Sequence, residues 1–297
     1  MLLDSVRTLL GWHPPPAGAA LDPGEPAPSL VPHAELAEDD DPVWPSARIG
    51  VAEALWGEGF LFPGGDAEVL RLVNPLGLSA ASSLLLIGAG SGGPSRCIAT
   101  EFGVWVTGYE ANPRLLELAN ERTRRVGLGR RAQVEPWDPL TPKFPRRYFH
   151  HGLVIEALRV AGLEPLLAAT SRALKPGGQL VLLETVSDLP LDAADPMVAG
   201  WARLDHRAMA VPSELAITDV LRRLGFDVRI VEDLSRGDMQ NVIRAWRAAV
   251  QAMRGTRPTL RQAALVVREA ELWLARFRLM RAGKLRLVRW HAIASGD

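Results

Sequence analysis

Residues 83 to 110, SLLLIGAGSGGPSRCIATEFGVWVTGYE, limit the possible folds more than any other stretch: they read as strand, glycine-rich turn, helix and a second strand ending in an acid. Leu84, Leu85, Leu86 and Ile87 form an unbroken apolar run, the pattern of a parallel strand buried on both faces. Gly88, Gly90 and Gly93 then spell GxGxxG. Glycines there permit a tight turn and close approach of backbone to a ligand, with amides pointing at it from a helix N-terminus. Pro94 suits the first turn of that helix. Glu110, 22 residues beyond Gly88, ends the second strand, where it is placed to accept hydrogen bonds from a ribose diol. These residues point to a nucleotide-handling site. GxGxxG also serves nicotinamide and flavin enzymes, so the rest of the chain must decide between ligands.

From 82 to 186 apolar strands and helical segments alternate, which predicts a parallel sheet with helices on both faces. ALKPGGQLVLLETV, residues 173 to 186, closes a helix and opens an apolar strand. Together with GAGSGG and the acid after the second strand, it resembles the class I S-adenosylmethionine-dependent methyltransferases. The resemblance implies an α/β fold: a Rossmann-like, doubly wound, seven-stranded sheet whose antiparallel last strand lies at the edge, a place LRLVRWHAIA (285 to 294) fits. It also implies S-adenosylmethionine as cofactor. LWGEGFLFPGG, residues 55 to 65, resembles the segment that covers the cofactor in phosphoethanolamine-type N-methyltransferases. The related cyclopropane-fatty-acid synthase group carries a helical insertion before its last strand, and residues 237 to 283 occupy that interval. The cofactor contacts so implied are Gly65 in the cover, Gly88, Ala89, Gly90, Ser91 and Gly93 in the glycine loop, and Glu110, Ala111 and Asn112 after the second strand. In QVEPWD, Trp137 would stack on the adenine and Asp138 would accept from its amino group.

The chemistry implied is displacement at a sulfonium methyl, for which positioning does most of the work. A hydroxyl or carbon nucleophile also needs a base. Glu156, in VIEAL, ends the fourth strand, where open α/β sheets bind ligands. It is either a base or a group that orients the cofactor's methionine end. Asp205 and His206 are the second candidates, as an orienting pair that binds or deprotonates substrate or as a surface salt bridge. His150 and His151 begin the fourth strand and should lie at the far end of the sheet. Two departures from the family pattern stand out: Leu86 replaces an acid common in the first strand, and Arg159 falls near the position of a catalytic histidine. The six histidines and one cysteine lack metal-ligand spacing, so no metal is expected.

The remainder divides into an N-terminal short helix with a Pro-rich acidic arm (1 to 45) and a methyltransferase domain (46 to 297) holding a lid at 187 to 213 and the helical insertion. Leu2, Leu3, Val6, Leu9 and Leu10 share one helical face, which suits docking on the domain or, alternatively, peripheral contact with a membrane surface. Residues 1 to 70 hold twelve acids against Arg7 and Arg48, while 251 to 297 hold ten bases against three acids. This reads as two solvated faces or as an acidic arm lying on basic C-terminal helices. Formal net charge is zero and no nucleic-acid motif occurs, so nucleic acid is not an expected partner. No apolar run is long enough to span a bilayer, and the single cysteine, Cys97, suits a reducing, cytoplasmic setting. The leading function is methyl transfer to a small-molecule or lipid-like acceptor, with the acceptor atom and the oligomeric state open. A catalytically silent protein of the same fold, acting as a binding or assembly partner, is the alternative. A nicotinamide oxidoreductase explains GxGxxG but not LKPGG.

Overall fold

In a computed structural model, residues 41, 43–207, 210–253 and 259–295 are described, with backbone alone at 260 and 261. The proposed N-terminal helix and most of the acidic arm lie outside the described residues. Strands β1 (Ser83–Ile87), β2 (Trp105–Glu110), β3 (Ala132–Pro136), β4 (Phe149–Ile155), β5 (Leu174–Val186), β6 (Phe226–Asp233) and β7 (Arg286–Ala294) form one sheet in the order 3-2-1-4-5-7-6. β1 to β5 pair in parallel, with β1 at the centre between β2 and β4. Strand order therefore reverses beside β1, and the crevice at that switch point is where ligands bind in open sheets.

β7 is antiparallel to both neighbours, but it is not the edge strand that the sequence suggests. It lies between β5 and β6, and β6 forms the edge. Burial explains the order. Leu287, Val288, Trp290 and Ala292 of β7 are buried, whereas Arg229, Ile230 and Val231 of β6 remain exposed. A strand with charged, exposed positions suits an edge, where unpaired backbone must be kept from further pairing.

Side chains alternate across the pleat, so successive residues of one strand serve opposite layers. Leu84 and Leu86 belong to a core with helices α1 (Ser46–Trp56), α2 (Gly65–Val73), α3 (Gly93–Phe102) and α4 (Pro113–Arg125). Leu85 and Ile87 belong to the opposite core, with α5 (Leu163–Ala173) and α7 (Glu214–Arg223). Between these last two in sequence, α6 (Pro196–Leu204) lies within the segment expected to be a lid.

The interval before β7 holds α8 (Ser235–Ala252) and α9 (Leu260–Arg281). Thr259 and Gln262 close the start of α9 as a reciprocal capping box. Val242 and Trp246 of α8 and Ala270, Trp273 and Met280 of α9 are buried, while Ala249, Met253, Val266 and Phe277 of the same stripes are only half-buried. Trp273 meets Trp56 of α1 edge to face, with ring centroids 5.1 Å apart. Burying side chains of this size contributes about 1.5–3 kcal/mol each, enough to hold α9 against α1 and α6. Among the described residues, no helix is long and apolar enough to cross a membrane.

Candidate active site

The turn after β1 closes as GxGxxG requires. Gly88 has φ +84°, and a Cβ there would stand 2.4 Å from the Ile155 carbonyl oxygen, so only glycine lets β1 and β4 run this close. The Gly88 and Ala89 amides both donate to the Tyr109 carbonyl. Glu110 then reaches back over the loop. Its Oε2 accepts from the Gly90 amide at 2.8 Å and its Oε1 from the Asn112 amide at 2.9 Å. Burial raises the Glu110 pKa, and those two amides oppose the rise. A cavity of about 320 Å³ opens here, walled by Gly88, Ala89, Gly90, Glu110, Ala111, Asn112 and Trp137. Trp137 is held behind by Phe144, which also packs on Tyr109.

Four expected contacts sit elsewhere. Asp138 is exposed and closes its own turn, accepting from Leu140 N at 2.9 Å and Thr141 Oγ1 at 2.7 Å; Trp137 and Pro139 form the cavity wall beside it. Ser91 is buried and donates to Glu53 Oε1 at 2.9 Å. Gly93 packs on the cover, its amide donating to the Gly59 carbonyl at 3.0 Å. Gly65 starts α2 at φ +54°, where a Cβ would meet the Trp56 carbonyl oxygen, so its glycine serves the turn. None of these four lines the cavity.

The cover itself reaches the cavity through Gly59, Leu61 and Phe62, and the segment before it through Val43 and Trp44. Asp41 pins the start of this segment: Oδ1 accepts from Val43 N and Trp44 N at 2.8 and 2.7 Å, and Oδ2 from Asn112 Nδ2 at 2.6 Å. Glu53 of α1 ties the cover to the loop, accepting from Gly59 N, Ser91 Oγ and both Nη atoms of Arg122.

The far end of the cavity is built from charges. Glu156 has φ +43° and His206 φ +50°, two of three non-glycine residues with left-handed backbone among those described. Such positions cost about 1–3 kcal/mol each and gather at functional sites. Glu156 accepts from Thr185 Oγ1, from Arg276 Nη1 at 3.1 and 3.3 Å, and from Arg207 Nη2 at 3.4 Å. Burial pushes its pKa up, but Arg276 and Arg207, with Thr185 and Arg159, pull it down to about 2. Glu156 is therefore held as an anion with its oxygens engaged, an arrangement that suits the orienting alternative better than that of a base. Asp205 does not pair with His206; it accepts from Arg207 Nε at 2.9 Å and Arg159 Nη1 at 3.3 Å. His206 stands at the rim with Nε2 3.4 Å from Arg268 Nη2, its pKa lowered by burial and by Arg48 and Arg268. His150 lies at the opening of β4, bonded to Ser83 and Lys175, remote from the cavity wall.

A family model described as a methyltransferase domain matches residues 84–178. A 27-O-demethylrifamycin SV methyltransferase from Amycolatopsis mediterranei is 30% identical over 78% of this chain and 88% of its own length. The chain belongs to the methyltransferase family. A sterol 24-C-methyltransferase from Eremothecium gossypii is 27% identical over 56% of this chain, which spans only 46% of that relative's length. Among solved structures, a Haemonchus contortus phosphoethanolamine N-methyltransferase 2 in complex with S-adenosyl-L-methionine superposes with a TM-score of 0.73 at 19% identity, covering 83% of this chain and 56% of that one. At that identity the likeness shows the fold.

Within this methyltransferase-family frame, sequence reasoning misses most of the polar network. Asp41, Trp44, Glu53, Arg207, Arg276 and Glu184 carry no motif. Glu184 is fully buried beside Glu156 and accepts from Leu158 N at 2.8 Å. Burial pushes its pKa up to about 8, so it stays protonated at neutral pH. Arg159 had a usable signal, since it falls near the place where the family resemblance expects a histidine, and it lines the cavity.

Proposed function

We propose that the protein is an S-adenosylmethionine-dependent methyltransferase acting on a small-molecule or lipid-like acceptor. The observation that carries this reading is the Glu110 carboxylate, suspended over the glycine loop by the Gly90 and Asn112 amides. A carboxylate has about four acceptor positions, so two amides leave room for the two hydroxyls of a ribose. Trp137 offers a flat wall for a base, and the glycine backbone leaves space a Cβ would fill. The adenine amino group falls to solvent or backbone, since Asp138 is committed to its turn.

When bound, S-adenosylmethionine supplies an electrophilic methyl group. The chain's part is to hold the acceptor and take its proton. Glu156 is filled by Thr185 and two arginines and Asp205 is held as an anion between Arg159 and Arg207, so the proton acceptor we assign is His206 at the cavity rim. Burial and the nearby guanidinium groups keep its imidazole neutral at pH 7. Nε2 must move off Arg268 to take a proton, a small displacement for an exposed side chain. A cytoplasmic setting fits a chain with a single cysteine, Cys97, whose thiol is pushed up to about 12 by burial and takes no part in the chemistry.

Calorimetric titration with S-adenosylmethionine, with NADH as control, tests the reading. Micromolar binding of the former alone is expected. Binding of NADH instead, or S-adenosylmethionine binding that Glu110→Ala leaves unchanged, overturns it.

A further inference from the structure

We infer that the acceptor carries an anionic oxygen group, a carboxylate or phosphate, and that Arg159, Arg268 and His206 receive it at the far end of the cavity. The inference rests on the methyltransferase reading and names the substrate class of the same site.

A cationic acceptor needs a free carboxylate or an open aromatic face. The cavity offers neither there. Its two carboxylates at this end are Glu156, held by Arg207, Arg276 and Thr185, and Asp205, held by Arg159 and Arg207. Trp44 is the aromatic residue at that wall. The Arg48 guanidinium lies 4.3 Å from its ring centroid and that of Arg159 lies 6.0 Å away. An incoming ammonium would have to displace one of them.

Donors, in contrast, remain unused at the cavity wall and rim. Arg159 spends one nitrogen on Asp205 while its side chain faces the cavity. Arg268 is exposed, and its hydrogen-bond contact among the described residues is the His206 ring. Glu184 adds no negative charge at neutral pH because burial keeps it protonated. Among the described residues Glu156, Asp205, Glu269 and Asp238 are the ion-pair partners of Arg48, Arg159, Arg207 and Arg276, and Glu110 adds its charge near Arg159. A guanidinium group that faces a cavity with nitrogens unused is completed by a ligand that brings anionic oxygens, which it binds with geometric preference.

Three probes that share a phenol and differ in charge test this: 4-hydroxybenzoate, 4-hydroxybenzamide and 4-hydroxybenzylamine, each titrated by ligand-observed NMR into the full chain loaded with S-adenosylhomocysteine. Inorganic phosphate, as a competitor, distinguishes a phosphate site from a carboxylate site. The anionic probe is expected to bind at least five-fold tighter than the neutral one and the cationic probe least. Arg268→Gln, at an exposed position, should erase most of that preference while leaving the neutral probe unchanged. Arg159→Lys should weaken it more than Arg268→Gln does. Equal or reversed charge preference overturns the inference. So does a preference that survives both substitutions, or an Arg159→Lys effect that falls on S-adenosylhomocysteine affinity rather than on the probe. Because S-adenosylhomocysteine binding is measured separately, failure of the cofactor reading appears in that titration and not in the probe series.

Discussion

Replacing Glu156 by Gln removes one negative charge from the centre of the arginine cluster while keeping the side chain's shape. Its worth can be worked from the geometry in two ways. Removing one partner of a buried ion pair costs about 3–5 kcal/mol, because the opposite charge is left uncompensated. Independently, the carboxyl pKa falls from 4.5 to about 2 on folding, roughly 2.5 units or about 3 kcal/mol at 1.36 kcal/mol per unit. The sign follows from linkage: a depressed folded pKa gives stability that is present above pH 4.5 and lost as pH falls toward 2. Urea unfolding of wild type and Glu156→Gln should therefore differ by about 3 kcal/mol at pH 7. That gap should narrow by about half near pH 3.3, where half of the carboxyl's titration interval has been crossed. Glu156→Ala, which also loses the Thr185 hydrogen bond, should cost at least as much. A gap under 1 kcal/mol at pH 7, or one that does not change between pH 6 and pH 3.5, would refute the claim that the arginines depend on Glu156.

Glu110→Ala should weaken S-adenosylmethionine binding by about 1.5–3 kcal/mol, the worth of hydrogen bonds to a charged group, with little change in binding of the phenolic probes; calorimetry reads both. Gly88→Ala should destabilise the fold by several kcal/mol, since left-handed backbone costs about 1–2 kcal/mol before the Cβ clash 2.4 Å from Ile155 O is relieved; a melting temperature within 2 °C of wild type would contradict the close β1–β4 approach. For His206 the active form is neutral and burial with Arg48 and Arg268 lowers its pKa, so the acidic limb of kcat/KM should lie below the pH at which an ordinary imidazole titrates. His206→Gln should remove that acidic limb and lower kcat about 10²–10⁴-fold; an unchanged limb would reassign the proton to another group.

The sheet and the glycine loop are legible because they are local. Leu84 to Ile87, GAGSGG and Glu110 lie in one short stretch, and the apolar period and glycine spacing encode the turn directly. The place of β7 is less legible, since its antiparallel sense follows from the resemblance while its interior position depends on which of two strands carries exposed charge. Asp138 misleads for a physical reason. An Asp followed directly by proline and three residues on by threonine satisfies its carboxylate within its own turn, and that local bond competes with any ligand. The acceptor end is least legible. Glu156 meets partners 29, 51 and 120 residues away, and no spacing rule links Thr185, Arg207 and Arg276 to it. Arg159 is the exception, visible because it stands where the family resemblance expects histidine.

Arg159 organises that end of the cavity. Arg159 is a permanent cation, so it must be balanced, and Asp205 is drawn into the interior to balance it. Asp205 is thereby removed from its neighbour His206 and shared with Arg207, which in turn braces Glu156. In the proposed mechanism the proton acceptor is His206, exposed at the rim after α6, where burial, Arg48 and Arg268 lower its pKa and Asp205 opposes them. An anionic group bound at Arg159 and Arg268 would lower the acidity of a neighbouring hydroxyl unless the guanidinium charges outweigh it, so the charge of the proposed acceptor and the strength of the proposed base are set by the same two arginines.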